Sequence, residues 1–394
     1  MSIDGKVEKV VDRPIRLGMV GGGRGGYIGA VHRMAVRLDR RFELVAGAFS
    51  SNSEIAQLSG ADLGIAADRT YTDFREMARA EAKRPDGIEA VAIVTPNHLH
   101  YEACKAFLSA GIHVICDKPM TTTLADAHRL VELVESTGLV FALTQNNTGY
   151  PMVRQARAMV REGLLGNLRM IRVSYAQDWL TTLLEADGHK QASWRMDPAQ
   201  AGDGGAVADI GVHAFNLVQY ITGLQLQSVC ADLQSFGSGR RLDDNANVLL
   251  RYEEGVRGTL WASQVAPGNN NALTVGIYGD RGGLEWNGEA NDYLRYTPFG
   301  EPPRLITRSG PGANAVAAAC SRMPAGHPEG YVEGFANLYA DAAAAILARR
   351  AGVREIDDTF QGADAGLAGM RFITACVASH RAGAAWVDVE RDAV

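Results

Sequence analysis

Lys118, Asp209 and His213 lie far apart in the chain, yet they are the residue types that together can oxidise an alcohol. A carboxylate beside an imidazole holds its orientation and stabilises its protonated form. An ammonium group nearby can stabilise a developing alkoxide. Asp209 and His213 stand four residues apart in Gly204-Gly205-Ala206-Val207-Ala208-Asp209-Ile210-Gly211-Val212-His213, so a helix there places them on one face. Lys118 belongs to Cys116-Asp117-Lys118-Pro119, at the end of an apolar run. Proline biases the residue before it toward extended backbone, which helps aim the ammonium away from the strand. Each residue alone has a plainer reading: a lysine in a surface turn, a helix-start aspartate, a buried histidine. Taken together, a base, an orienting acid and a cation form the set that removal of hydride from a secondary alcohol needs.

These residues need elements to hold them, and the first 150 residues alternate strand and helix signals. Ile15–Val20 is apolar and ends at Gly21-Gly22-Gly23-Arg24-Gly25-Gly26, which satisfies G-x-G-x-x-G; Tyr27–Leu38 follows with helical spacing. Glycines at Gly21, Gly23, Gly25 and Gly26 let backbone amides, with Arg24 among them, approach a pyrophosphate at the helix N-terminus. Further strands are predicted over Phe42–Phe49, Ala90–Val94, His113–Cys116 and Val140–Thr144. Helices are predicted from Asp73, with Thr72 as N-cap, over Tyr101–Ala110 and near Leu124–Ser136. This pattern predicts an α/β fold with a doubly wound parallel sheet, whose ligands bind at the carboxyl ends of the strands. Ser50 and Ser51 stand where an acid for the ribose 2′-hydroxyl is usual, and Ser50–Gln57 holds no Arg or Lys for a 2′-phosphate. The cofactor read from this is NAD ahead of NADP, with NADP left open.

From Tyr150 the pattern changes. A helix over Met152–Glu162, a strand over Leu168–Tyr175, an irregular stretch to Gly205 and a helix over Val207–Thr222 are expected. Strand signals follow at Ser228–Leu233, Asn247–Tyr252, Gly258–Ser263, Leu273–Tyr278 and Gly283–Trp286. Pro302–Pro324 reads as an extended surface loop, and a final helix over Ala363–Ser379 is expected to pack back on the sheet or the first unit. The chain of 394 residues thus divides into a dinucleotide-binding unit, 1–150, and an α+β unit with a mostly antiparallel sheet, 151–394.

Composition sets limits on function. The formal net charge of −6 offers no basic face for nucleic acid or an anionic membrane, and no apolar run approaches the ~20 residues of a spanning helix. Cys104, Cys116, Cys230, Cys320 and Cys376 are widely spaced, which suggests reduced thiols in a cytoplasmic protein and no metal site.

The motifs Gly21–Gly26, Thr95-Pro96-Asn97-His98-Leu99-His100, Asp117-Lys118-Pro119, Trp194-Arg195 and Gly204-Gly205…Asp209…His213 resemble those of the Gfo/Idh/MocA oxidoreductases, the glucose–fructose oxidoreductase and inositol dehydrogenase family. The resemblance covers nearly the whole chain. It implies an NAD(P)-dependent dehydrogenase acting on a sugar, inositol or related polyol, built as a Rossmann domain followed by an α/β domain whose open sheet supports homodimers or homotetramers. It carries the catalytic roles onto Lys118, Asp209 and His213, with Asp117 in place of the family's glutamate. It also places Thr95, Pro96, Asn97, His100, Asp117, Lys118 and Gln145 beside the cofactor, and Trp194 and Arg195 at the mouth of the nicotinamide pocket. Many relatives carry an Asn-Arg-Arg-Phe-like segment where this chain has Gln145-Asn146-Asn147-Thr148-Gly149-Tyr150, so substrate contacts there do not transfer.

For the substrate side, Asn147, Asp178, Trp179, Lys190, Arg195 and His327 are polar or aromatic groups in expected loops, beside Lys118, Asp209 and His213. Lys190 with Arg195 hints at an anionic sugar. Two other readings stay open: a redox-neutral glycosidase that oxidises its sugar transiently, and a non-enzymatic nucleotide sensor.

Overall fold

The computed structural model describes residues 13–186, 188, 190–353 and 360–390, without the side chains of residues 190 and 191. The first sheet consists of β1 (Ile15–Gly21), β2 (Phe42–Ala48), β3 (Ala90–Val94), β4 (His113–Cys116) and β5 (Phe141–Leu143), all parallel in the order β2-β1-β3-β4-β5. A single parallel bridge from Gly47 to Thr70 adds a rudimentary strand outside β2. Counted with it, the order is that of a dinucleotide-binding sheet, with its switch point between β1 and β3. The connecting helices are α1 (Tyr27–Leu38), α2 (Ser53–Asp62), α3 (Phe74–Glu81), α4 (His100–Ser109) and α5 (Leu124–Thr137). The strands read as continuous apolar runs because helices cover both faces.

Beyond β5 come α6 (Pro151–Arg161), β6 (Leu168–Ala176), α7 (Lys190–Arg195), α8 (Pro198–Ala201) and α9 (Val212–Thr222). They are followed by β7 (Leu226–Gln234), β8 (Asn245–Tyr252), β9 (Arg257–Ser263), β10 (Ala272–Gly279), β11 (Gly282–Asn287), β12 (Tyr293–Pro298) and β13 (Arg304–Thr307). The chain ends through α10 (Ala315–Ala319), α11 (Tyr331–Arg350), α12 (Ala363–Arg381) and β14 (Val387–Asp388). The nine strands form one sheet, β13-β12-β11-β10-β6-β9-β8-β7-β14, antiparallel except for the β6–β9 pair. One face packs on α6, α9 and α12; the other leaves Met170, Leu249 and Trp261 exposed.

Two late helices return to the first sheet. On α11, Phe335, Tyr339, Ala342 and Ile346 are buried with Ile15, Leu17 and Met19 of β1, so this helix covers one face beside α1. On α12, Leu367, Phe372 and Ile373 join the core shared with α5 and β7. Three local expectations are corrected. The N-cap of α3 is Asp73, whose Oδ1 accepts from the amides of Arg75 at 2.7 Å and Glu76 at 3.0 Å, and not Thr72; the longer acidic side chain serves two orphan donors at once. The Pro302–Pro324 stretch contains β13 and α10. The predicted Val207–Thr222 helix opens with one π-helical turn, Val207–Gly211, before α9.

Candidate active site

The site forms where the carboxyl ends of the first sheet meet the start of α9 and the ends of β6 and β9. Lys118 is the second residue after β4, and the Lys118–Pro119 peptide is cis. The Lys118 Nζ donates to the backbone carbonyl of Asp209 and to its Oδ1 at 2.8 Å. Asp209 sits within the π-helical turn, a wide turn common at functional sites. Its other oxygen accepts from Gln264 Nε2 at 2.8 Å and from Arg195 Nε at 3.3 Å. Burial alone would raise the Asp209 carboxyl, but Lys118 and Arg195 outweigh it and hold the group well below the usual carboxylate range.

His213 is buried, 9% exposed, with its ring 6.1 Å from that of Tyr175, and its Nδ1 has no hydrogen-bond partner among the described residues. Burial and then the charge of Lys118 push its pKa well below the usual histidine value, against the opposing pull of Asp209. The imidazole is therefore neutral and able to accept a proton. The expected influence of Asp209 on His213 is not carried by a hydrogen bond between them among the described residues. Both Asp209 oxygens are taken by Lys118, Arg195 and Gln264, so Asp209 positions the lysine and acts on the histidine through its charge.

Behind Lys118 the strand ends are tied together. Asp117 Oδ1 accepts from the Lys118 amide at 3.0 Å and from the Thr144 hydroxyl at 2.8 Å. His100, expected beside the cofactor, instead has its ring behind the turn, 1% exposed. Its Nδ1 lies 2.7 Å from the Pro119 carbonyl and its Nε2 lies 2.9 Å from the Thr95 carbonyl. Two carbonyl acceptors require two N–H donors, which only the imidazolium supplies. Burial opposes this charge, yet Cys116, the Pro119 carbonyl and the Asp117 carboxylate push the pKa up to about 9.

The glycine loop fits a dinucleotide. A Cβ on Gly23 would meet the Phe49 carbonyl at 2.8 Å and Ser59 Oγ at 2.9 Å, so only glycine lets the loop pass the end of β2 this closely. Around the cradle, Thr95 Oγ1 and Gln145 Oε1 are buried without a hydrogen-bond partner among the described residues, as expected of atoms that meet a polar ligand. Pro96 caps a short turn, Asn97–Leu99, which leads into α4. Arg24 turns away from the loop: its guanidinium donates to both Asp62 oxygens, at 2.6 and 2.8 Å. Ser50 Oγ accepts from the Asn52 amide at 3.1 Å, next to the exposed Ser51.

The expected substrate residues divide. Arg195 reaches the site through Asp209, and its guanidinium stacks 4.2 Å over Trp194. Asn147 is buried in the Asn146–Gly149 turn, which packs beneath α11. There, Gly149 approaches Gly334 so closely that a Cβ would come 2.0 Å from the Gly334 carbonyl. Asp178 Oδ2 accepts from the Gly268 amide at 3.2 Å, an exposed loop bond. His327 is exposed, and its carbonyl accepts from Arg308 in a cluster with Asp292 and Glu329, apart from the Lys118 network. The Lys190 side chain lies outside the described residues. Gln264 and Tyr175 escaped the sequence reading. Gln264 is one residue past the end of β9, and Tyr175 sits near the end of β6 with its hydroxyl donating to Asn271 Oδ1 at 2.8 Å. Neither residue has a spacing signature; only the parallel pairing of β6 with β9 brings them together.

Comparison with known proteins agrees with this geometry. Residues 15–145 match the NAD-binding Rossmann-fold model of the oxidoreductase family, and residues 153–285 match the GFO/IDH/MocA C-terminal domain. The chain is 38% identical over 389 residues to the uncharacterized oxidoreductase YfiI of Bacillus subtilis (strain 168), covering 97% of this chain and 98% of that one. An oxidoreductase crystal structure from Sinorhizobium meliloti shares 52% identity with a TM-score of 0.86, over 95% of this chain and 99% of that chain. An inositol dehydrogenase homologue from Azotobacter vinelandii, solved with NADH and myo-inositol, shares 35% identity with a TM-score of 0.89, over 95% and 98% of the two chains. The chain belongs to the Gfo/Idh/MocA oxidoreductase family.

Proposed function

We propose that this protein is an NAD-dependent dehydrogenase that oxidises a secondary hydroxyl of a polyol or sugar, with inositols the first substrates to try. One observation carries the reading: a neutral, buried His213 stands in the same site as a Lys118 ammonium held by Asp209. When bound, NAD supplies the hydride acceptor. His213 takes the hydroxyl proton on its imidazole, and its depressed basicity matches a group that is free to accept at neutral pH. Lys118 stabilises the negative charge that develops on the substrate oxygen, and Asp209 fixes the ammonium for that task. Because Arg195 is engaged by Asp209 and stacked on Trp194, the site favours a neutral substrate over the anionic sugar that its cations first suggest. NAD is favoured over NADP because Arg24 is held by both oxygens of Asp62. The inositol assignment is supported by the Azotobacter homologue's complex with NADH and myo-inositol. The outward face of the second sheet, with Met170, Leu249 and Trp261 exposed, supports a homodimer or homotetramer.

The test is turnover of a panel of inositols, aldoses and alditols with NAD⁺ and, separately, NADP⁺. Formation of reduced cofactor with a cyclic polyol and NAD⁺ is the expected result. Silence across the whole panel with both cofactors would remove the assignment.

A further inference from the structure

Asp243 and Asp244 lead into β8 side by side and both are buried, but they hold different partners. Asp244 accepts from the amides of Phe236 and Gly237, and from Arg240, which also pairs with Glu185. No cation pairs with Asp243 among the described residues. Its Oδ1 accepts from the Gly205 amide at 2.6 Å, its Oδ2 from the Val207 amide at 2.8 Å, and its carbonyl from the Ala206 amide at 2.7 Å. Three consecutive amides leading into the turn that carries Asp209 therefore end on one residue. The approach is close enough that a Cβ on Gly205 would lie 2.0 Å from the Asp243 carbonyl oxygen, which accounts for the glycine there. The same strand entrance also steadies Gln264, whose amide donates to the Asp244 carbonyl at 2.8 Å while its side chain holds Asp209.

We propose that Asp243 is a positioning residue for the reaction: its ionised carboxylate clamps the first turn of the segment carrying Asp209 and His213, and turnover falls when the clamp takes up a proton. The reaction part of this rests on the dehydrogenase reading above. The chemistry of the clamp is specific. Both carboxylate oxygens face N–H donors, so protonation turns one charged acceptor into a hydroxyl oxygen, a far poorer acceptor, and weakens one of the two bonds. Burial raises the Asp243 pKa to about 6 against the pull of the Gly205 and Val207 amides, and the charge of Asp244 adds to the rise. The other titratable group facing it, Cys376 of α12, has its thiol pushed well above normal by burial and by Asp243, so it stays neutral. Neither Asp209 nor His213 titrates in that window, since both are held well below their usual values. An acid limb near pH 6, which habit would assign to a histidine base, belongs to Asp243.

The sign of the stability effect runs opposite to activity. The folded pKa lies above the unfolded one, so the stability Asp243 contributes is present at low pH and is lost as pH rises from about 4 through about 6. Asp243→Asn mimics the protonated clamp, with one acceptor and one donor facing two amides. With myo-inositol and NAD⁺, D243N is expected to turn over about tenfold below wild type at pH 7.5, the size of one charge-assisted hydrogen bond. Its profile should lack the acid limb, so that the two proteins converge at pH 5 while NADH affinity stays equal. H213N should keep the limb midpoint in its residual turnover, whereas a limb owned by His213 would vanish. Persistence of the limb in D243N, or its loss in H213N, overturns the proposal. Thermal melts need no substrate: the stability of wild type relative to D243N should fall between pH 4.5 and 7. A pH-independent difference overturns the clamp's titration, even if no polyol is turned over and the dehydrogenase reading itself fails.

Discussion

Replacing Lys118 by methionine separates catalysis from folding, because the substitution keeps the apolar stem and removes the ammonium. The Lys118 Nζ makes two bonds, to the Asp209 carbonyl and to Oδ1 at 2.8 Å, and its side chain is only 14% exposed. Removing one partner of a buried ion pair commonly costs ~3–5 kcal/mol. Here Asp209 retains Gln264 at 2.8 Å and Arg195 at 3.3 Å, and its own side chain is 21% exposed. The stability loss should therefore stay nearer one charge-assisted bond, about 1.5–3 kcal/mol. Turnover should fall much further, by about 10²–10⁴, because the charge on the substrate oxygen forms only in the transition state. At ~1.36 kcal/mol per decade this is roughly 3–5 kcal/mol. Removing the nearby cation relieves only part of the depression of His213, which burial still holds below its usual value, so residual K118M activity should keep the acid limb of Asp243. The assay is kcat with a turned-over polyol, alongside NADH affinity by fluorescence and a denaturant melt. Near-normal turnover in a folded K118M, or a loss explained wholly by weaker NADH binding, would refute the role given to Lys118.

Gly23→Ala brings a Cβ to 2.8 Å from the Phe49 carbonyl, so NADH affinity measured by titration should drop at least about tenfold, while kcat at saturating cofactor is largely kept. Gln264→Leu removes the neutral donor on Asp209 Oδ2 without touching Lys118, and kcat should fall by about tenfold with little change in NADH affinity. Nitrogen-15 spectra of histidine-labelled protein should show both His100 ring nitrogens protonated at pH 7.5, since both face carbonyls. A neutral His100 tautomer at that pH would contradict its assignment. The folded His100 pKa of about 9 lies above the ordinary histidine value, so its contribution to stability is complete below about 6.5 and is lost as pH rises through 9.

Much of the first sheet is legible because buried parallel strands are uninterrupted apolar runs: Ala90–Val94 and His113–Cys116 carry the same limits in sequence and structure. The helix α11 is not legible in the same way. Gly334–Tyr339 are all buried in one run, with Ala342, Ala343, Ala345 and Ile346 beyond them, so burial is not confined to one stripe and the helix lacks the polar–apolar contrast that marks an amphipathic helix. β12 and β13 lie at the edge of the sheet, where exposed Tyr293 and Leu305 blur the apolar–polar alternation. At the site, Lys118, Asp209 and His213 are readable because unusual types sit in specific local contexts. Arg195 is readable as a site residue, but its bond to Asp209 is not, and Asp243 and Gln264 are not readable at all. They act through backbone amides or through one carboxylate, and nothing in the spacing of a single sequence announces a contact closed by a sheet crossover. The relation of Asp209 to His213 shows the limit most directly: four-residue spacing places them on one helix face, but the sequence does not announce that Lys118, Arg195 and Gln264 are the donors on Asp209.

Net oxidation of a secondary hydroxyl through the Lys118, Asp209 and His213 site is tested most directly by stoichiometry: NADH formed against substrate consumed, for myo-inositol and for an aryl glycoside, with aglycone release followed in the same reaction. One NADH per polyol oxidised, with no aglycone release, is the expected result. Release of aglycone without accumulation of NADH would contradict it and leave a redox-neutral glycosidase in its place.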